Sequence, residues 1–518
     1  MRQLLFSKLS ILLFSIFFIG IQNCVCSGIK KYDILRYGAV NDGMTLNTKS
    51  IQSAIDEAFN QKGGVVVFPK GNFLSGSLIL KSGVELKFEE GSVLLGSTNP
   101  SDYTKLEIEN APVSQKTDDN SKLALILSSN STNISITGTG TIDGQGRRLA
   151  LVIDSLHLMG ITVDPHYSIR PSETMRPKII NFMECSNVII SGVTILNSSC
   201  WVQTYELCTN VIIDNVKVIS RAYWNNDGID ITDCKKVNIT NCDINSADDG
   251  ICLKSYYKGY SCEDIYISNC SVRSSASAIK FGTASLGGFK DVVIENITIK
   301  DTYRSAIAIE NVDGGFVDNI KISNINANNT GNAIFVRLGH RSGEKPGIIK
   351  NVVLKNFNVI VPFGRSDVNY DMRGPDINFF HNQFPVIISG IPENNIENIS
   401  LENIEISYPG RASKGMAYLP LWRLNMVPEV INEYPEYTMF GELPSWGYYV
   451  RHVMGISMKN IKLKLVDSDF RPAFVFDDVK NLKMESIDIP NNMKEQIILK
   501  NTNDVSLDYG SSYYKKEL

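Results

Sequence analysis

Residues 224–255 read WNNDGIDITDCKKVNITNCDINSADDGICLKS, and this stretch says nearly the same thing twice. Asp-Gly-Ile-Asp-Ile (227–231) and Asp-Gly-Ile-Cys-Leu (249–253) are each a turn running into a short strand. Asp-Gly is strong turn chemistry, and the alternating apolar residues after it have the period of a strand. The two copies stand one repeat apart in a chain that repeats nearly throughout. If each repeat is one coil of a solenoid, the copies are neighbouring rungs, about 4.8 Å apart. Asp227 then stacks on Asp249, with Asp248 beside them. Three carboxyls this close are costly unless their proton affinities are pushed apart, an arrangement suited to acid/base work.

Working outward, the same phrase recurs: Asn133-Ile-Ser-Ile, Asn187-Val-Ile-Ile, Asn210-Val-Ile-Ile, Val237-Asn-Ile, Ile265-Tyr-Ile, Val292-Val-Ile, Ile320-Lys-Ile, Val352-Val-Leu and Ile399-Ser-Leu. Short β-branched strands at a steady period, with almost no helical periodicity between them, predict an all-β parallel β-helix. Leucine-rich repeats are the rival solenoid, but their leucine pattern is absent. The many Asn residues at turns fit, because Asn tolerates left-handed backbone angles and stacks in ladders. Ahead of the strands, Ile51, Ala54, Ile55 and Ala58 fall at helical spacing after Asn47 or Thr48 as cap. They predict a short helix that covers the N-terminal end of the core. Two stretches break the rhythm and are expected as long loops. Residues 144–178 contain His157, His166, Arg170 and Arg176, and residues 410–455 are rich in Pro and aromatics, among them Tyr434, Tyr437, Trp446, Tyr448 and Tyr449. Flat aromatic faces suit the wall of a carbohydrate cleft, and equally suit packing of a loop on the coils.

The 518 residues carry a formal charge of −4, so no basic surplus points to nucleic acid. Arg2 and Lys8 precede an apolar run from Leu9 to Ile21, and small or neutral residues follow to Gly28. This reads as a secretory signal over residues 1–27, too short for a membrane span, ahead of a single domain from 28 to 518. The expected destination is secreted or periplasmic, with a lipid anchor at Cys24 or Cys26 as the alternative ending of the signal. A monomer is expected. Of the ten cysteines, Cys185, Cys208 and Cys234 each precede a strand phrase, and Cys242 and Cys270 each end an Asn-Cys pair. One shared phase in the repeat predicts small core residues stacked on one another rather than bridged pairs. A single bridge among Cys252, Cys262 and Cys270 stays open. No Cys-x-x-Cys spacing suggests zinc.

Aligning the repeats by their inward residues gives a map. Ile229 and Ile231 match Ile251 and Leu253, then Ile279 and Phe281, Ile307 and Ile309, Ile334 and Val336. Alternate residues face outward. One outward row is Asp227, Asp249, Ser277, Ser305; a second is Asp230, Cys252, Lys280, Ala308, Phe335, with Glu310 and Arg337 just beyond. Acids occupy one side of this surface and the cations Lys280 and Arg337 the next, which suits cleavage of an acidic sugar polymer. Solenoids also carry Asp and Asn ladders that do no chemistry, so the map alone leaves both readings standing.

Asn225-Asn-Asp-Gly-Ile-Asp230, Asp248-Asp-Gly-Ile-Cys-Leu-Lys-Ser255, Asn197-Ser-Ser-Cys-Trp201, Gly138-Thr-Gly-Thr-Ile-Asp-Gly-Gln-Gly146 and Arg176-Pro177 together resemble glycoside hydrolase family 28, the polygalacturonase and rhamnogalacturonan hydrolase group. The similarity runs in order from about Tyr32 to about Ile406. The resemblance implies a right-handed parallel β-helix and inverting hydrolysis of α-linked pectic backbones, with no metal or other cofactor. It places the family's Asn-Thr-Asp motif on Asn225, Asn226 and Asp227, and its Asp-Asp motif on Asp248 and Asp249. Asp248 is then the general acid, while Asp227 and Asp249 position and deprotonate the attacking water. An inverting enzyme needs just such a protonated and an ionised carboxyl on opposite faces of the sugar, about 6.5–9.5 Å apart.

The sequence departs from that pattern in two places. Where polygalacturonases carry Gly-His-Gly, this chain has Ala276-Ser277-Ala278, and where they carry Arg-x-Lys it has Ala308-Ile309-Glu310. Loss of a carboxylate clamp suits a neutral sugar such as rhamnose at the leaving-group side. The expected substrate is therefore pectin, most specifically rhamnogalacturonan, as part of cell-wall degradation. Asn225, Lys254, Ser277, Lys280, Arg337 and Trp446 are the candidate substrate contacts; Lys254 could instead only balance the acids. The alternatives are a glycosidase on another plant or host polysaccharide, a polysaccharide lyase, and a non-catalytic carbohydrate-binding solenoid.

Overall fold

The computed structural model describes residues 30–105, 112, 121–164, 172–367, 384–413, 421–490, 495–508 and 514–517. The signal segment, with Cys24 and Cys26, lies outside them, as do His166 and Arg170. The described chain is nearly all β. Every ladder between its strands is parallel, and away from the ends most strands pair with the equivalent strand one repeat before and one repeat after. One row can be followed across eleven repeats: Val188, Val211, Val237, Ile265, Val292, Ile320, Val352, Ile399, Ile456, Leu482 and Val505 stand in register. These residues belong to the recurring phrase. Their side chains share one contiguous apolar core that reaches from Tyr32 to Leu499. β-Branched residues dominate it because they fill a pleated surface stacked on its own copy.

The repeats meet at turns that leave no room for a Cβ. A Cβ on Gly228 would lie 2.5 Å from the carbonyl oxygen of Gly250, and one on Gly250 would lie 2.5 Å from that of Ala278. This is why each acid of the first outward row is followed by glycine. Elsewhere the turns use asparagine. Asn269, Asn296, Asn324, Asn356, Asn403 and Asn460 all adopt left-handed backbone angles, with φ between 53° and 59°. Each side-chain amide donates to the carbonyl of the one before it, at 2.9–3.3 Å.

The first helix, α1, spans Thr48–Asn60 and buries Ile51, Ala54, Ile55 and Ala58 against the first strands. Asn47 does not cap it by side chain; its amide instead ties Val40 and Thr45 to the helix entry. A second helix, α2, covers Gly146–Leu158. It corrects the expectation of a loop there: Leu149, Ala150 and Ile153 make an apolar face that the structure buries.

The described part of the segment 410–455 packs on the strands, and part of it is strand, since Tyr448–Leu465 belongs to the ladders. Tyr437, Phe440, Leu443 and Tyr449 join Tyr303 and Phe335 in a second apolar cluster. Trp446 is only 1% exposed and meets Tyr408 edge to face. The expectation that it stacks on a sugar is therefore corrected: its ring is core.

All eight described cysteines, from Cys185 to Cys270, are buried free thiols. The bridge left open among Cys252, Cys262 and Cys270 does not form; their sulfurs point to the carbonyls of Gly282, Ile231 and Ser268. Among the described residues, no helix is long and apolar enough to cross a membrane.

Candidate active site

Register brings the three acids together. Ile229, Asp230 and Ile231 lie against Ile251, Cys252 and Leu253, and these against Ile279, Lys280 and Phe281. The turns ahead of the strands are tied in the same order: the Gly228 amide donates to the Asp249 carbonyl at 2.9 Å, and the Gly250 amide to that of Ser277 at 2.8 Å. Asp227 and Asp249 are thus neighbours along one row, each 3% exposed. Asp248 differs: it is only half-buried. Its turn is clamped from behind by the hydroxyls of Ser246 and Ser274, which donate to its carbonyl oxygen at 2.9 and 2.6 Å. Asn226 is buried and knits the preceding turn, accepting from Ser220, Ala222 and Tyr223 and donating to the Cys200 carbonyl.

Each buried acid of the row has its own cation. The Lys254 ammonium lies 3.1 Å from Asp227, 3.2 Å from Asp230 and 3.3 Å from the Cys252 sulfur, over the face of Trp201 at 4.7 Å. Asp227, Asp230 and Cys252 have the spacing of a three-ligand metal cluster, but a lysine ammonium already stands where a cation would sit. Lys254 is thus engaged by Asp227 and Asp230, which fits the second of the two roles open to it. Lys280 lies 3.1 Å from Asp249 and 3.8 Å from Glu310, and donates to the Tyr434 hydroxyl at 3.1 Å.

These surroundings separate the carboxyls. Burial would raise the pKa of Asp249, but Lys280, Lys254, Arg304 and the Ser277 amide, which donates at 3.0 Å, outweigh it and hold the pKa below the usual carboxylate range. Asp248 has no cation in contact; burial first, then the charge of Asp249, hold its pKa up. Burial also raises Asp227, against the pull of Lys254, and brings Asp230 up to about 6. One turn thus carries a partly buried acid whose pKa is raised beside a fully buried one whose pKa is lowered.

The other expected contacts fall out unevenly. Asn225 is half-buried at the edge of the site and accepts from Arg176, a fully buried guanidinium that also donates to the carbonyls of Ser199 and Trp224. Ser277 reaches Asp249 through its backbone. Arg337 is a correction: it is fully buried and its terminal nitrogens donate to Ser389, Gly390, Glu429 and Val430. It anchors the 410–455 segment and cannot also face a uronate. Two residues escaped the sequence reading. Arg304 stands one place before Ser305 of the first row, a signal that could have found it. Glu436, 2.8 Å from Arg304, comes from an insertion with no repeat to align.

The chain is similar to known proteins over most of its length. The model of "Glycosyl hydrolases family 28" matches residues 63–360, more than half of the chain. A "Probable polygalacturonase" of Vitis vinifera is 26% identical over 74% of this chain and 75% of its own. A hyperthermoactive exopolygalacturonase from Thermotoga maritima has a TM-score of 0.58 at 24% identity, over 73% of this chain and 87% of its own. The family 28 exopolygalacturonase of Yersinia enterocolitica has a TM-score of 0.63 at 18% identity, over 89% of this chain and 79% of its own. The two structures speak for the fold alone.

Proposed function

We propose, from the premise that the chain belongs to glycosyl hydrolases family 28 and is a glycoside hydrolase, that it cleaves α-linked galacturonic acid in pectin, with rhamnogalacturonan as the preferred backbone. Asp248 protonates the departing glycosidic oxygen. Asp249 and Asp227 hold the water on the opposite face of the sugar and Asp249 takes its proton, giving inversion. The observation that carries this reading is the split within one turn: Asp248 is partly exposed and its pKa is raised by burial, while Asp249 is buried against Lys280 and its pKa is lowered. The parallel ladders and the family together support a right-handed parallel β-helix in a single catalytic domain. The preference for rhamnogalacturonan rests on Lys280 and Arg337, both engaged within the protein, and on Glu310 at the place of a clamp. Secretion rests on the N-terminal apolar run and on a polymer substrate that cannot enter the cell.

The test is product analysis on rhamnogalacturonan and on homogalacturonan oligosaccharides, in chelator, with Asp248→Asn beside the natural protein. The expected result is saturated galacturonate-ended product from the first substrate, lost by roughly 10²–10⁴-fold in the variant. Turnover of homogalacturonan at an equal rate would remove the rhamnogalacturonan preference. Unsaturated products would replace hydrolysis by elimination.

A further inference from the structure

One aromatic of the inserted segment is neither core nor loose. Tyr434 is 49% exposed, next to a buried Pro435 and on a stretch pinned at both ends. Upstream, the Arg337 guanidinium holds the carbonyls of Glu429 and Val430, and Arg451 holds that of Val427 at 3.0 Å. Downstream, the Glu436 carboxylate lies 2.8 Å from the Arg304 Nε, and the buried Tyr437 ring meets Phe384 edge to face. A side chain exposed on backbone held this way is presented rather than frayed. Its tip is held too: the Lys280 ammonium donates to the Tyr434 hydroxyl at 3.1 Å and lies 3.1 Å from Asp249. One ammonium therefore stands between this ring and the acid row. It is 5.4 Å from the ring centre, off the hydroxyl end, so it does not cover a face of the ring.

From this geometry we infer that Tyr434 is a sugar-binding platform of the active site, and that the sugar it takes is neutral with an apolar face, a 6-deoxyhexose such as rhamnose. The inference deepens the proposed cleavage of rhamnogalacturonan and rests on it. A phenol ring with its hydroxyl tied down offers its apolar faces outward, and it gains contact when something flat and apolar covers them. The C–H face of a sugar ring has that shape. The neighbouring charges select which sugar. The two cations that Tyr434 and Glu436 meet on the coils are Lys280 and Arg304. Lys280 is engaged by Asp249 and Glu310, and Arg304 by Glu436. A uronate laid on the ring would bring a further negative charge to three carboxyls that share two cations. A deoxyhexose brings none, and its methyl group adds apolar area to set against the ring. An insertion outside the repeats thus supplies the apolar surface that the charged rows of the coils lack.

Tyr434→Ala and Tyr434→Phe separate the ring from its hydroxyl. On rhamnogalacturonan oligosaccharides, Tyr434→Ala should raise KM about tenfold. Tyr434→Phe keeps the ring and gives up the Lys280 contact, and it should recover most of that loss. The second readout is proton NMR of the same oligosaccharides bound to the Asp248→Asn protein, which holds substrate without turning it over. The rhamnose methyl signal should move upfield under the ring current. The shift should persist when Tyr434→Phe is added and vanish when Tyr434→Ala is added. Equal losses in the two Tyr434 variants would make the residue a partner of Lys280 alone and overturn the inference, as would no loss in either. A ring-current shift on galacturonate protons with none on the methyl would overturn the choice of sugar. Failure of the proposed function reads differently: the natural protein then turns over homogalacturonan and not rhamnogalacturonan, which overturns the deoxyhexose with it.

Discussion

Lys280 shows how much of the site one side chain carries. It is 3% exposed, with its ammonium between Asp249, Glu310 and the Tyr434 hydroxyl. Taking one partner out of a buried ion pair leaves an uncompensated charge, and that costs about 3–5 kcal/mol. Lys280→Met should therefore lower stability by about that amount in denaturant titration. It should also raise the pKa of Asp249, so the acid limb of the pH–rate profile climbs. A variant with unchanged stability and an unmoved acid limb would show that Asp249 does not depend on the lysine. The outward rows of the sequence put Lys280 opposite Cys252 and one repeat from Asp249, and the register agrees. What they could not tell is which way its charge points. A lysine in a row of acids reads equally as a sugar clamp and as a counter-ion, and the distances to Asp249 and Glu310 fit the counter-ion. Arg337 was misplaced for the same reason: its four carbonyl and hydroxyl partners come from distant turns and from the insertion.

At the scale of elements, the asparagine ladder converts a backbone requirement into a chain of side-chain bonds. At Asn356 the φ is 59°, and the amide bridges Asn324 and Asn403. Alanine there would be forced into the left-handed region, at about 1–2 kcal/mol, and would also cut the ladder. Glycine cuts the ladder without that strain. Asn356→Ala should then be the less stable of the two by about 1 kcal/mol in chemical denaturation; equal losses would mean the exposed amide bonds, not the backbone angle, fix the turn. These turns were legible in the sequence because an Asn stands before the same β-branched phrase each time. Helix α2 was not read, since its apolar face is short and lies in a stretch that only registered as a break in the repeat. The aromatics of 410–455 were legible as a group and not one by one. Tyr434, 49% exposed, reaches Lys280, whereas Trp446 disappears under Tyr408, and composition cannot separate the two fates.

For the molecule as a whole, the shifted groups set a sign for stability against pH. Burial raises Asp230 to about 6, and Asp233 and Glu310 to about 7. Unfolded carboxyls titrate at about 4, so between there and about 7 the folded chain binds more protons and stability falls as pH rises. His452 acts in the same direction. Burial alone would lower it, but Glu429 and Asp478 raise it, so its stabilisation is present below about 6.5 and fades as pH climbs through the raised value. Asp249 and Glu429 are lowered and act oppositely: their contribution is present above about 4 and is lost as pH falls through their folded values. The expected Tm profile has its maximum near pH 4–5, roughly, and declines toward pH 8. Asp233→Asn should flatten part of the decline. A Tm that rises steadily from pH 5 to 8 would contradict this balance.

The buried thiols carry a further consequence. A chain that paired ten cysteines would ordinarily need an oxidising compartment and an isomerase to choose among pairings. Here the eight described sulfurs are stacked as packing atoms, so correct folding asks for no oxidant, and reductant takes nothing away. The hazard runs the other way. Cys185, Cys208 and Cys234 lie one above another on successive repeats, so any opening of a repeat would expose neighbouring thiols to an oxidant. A disulfide formed at that moment would hold the opened form until a thiol reductant released it.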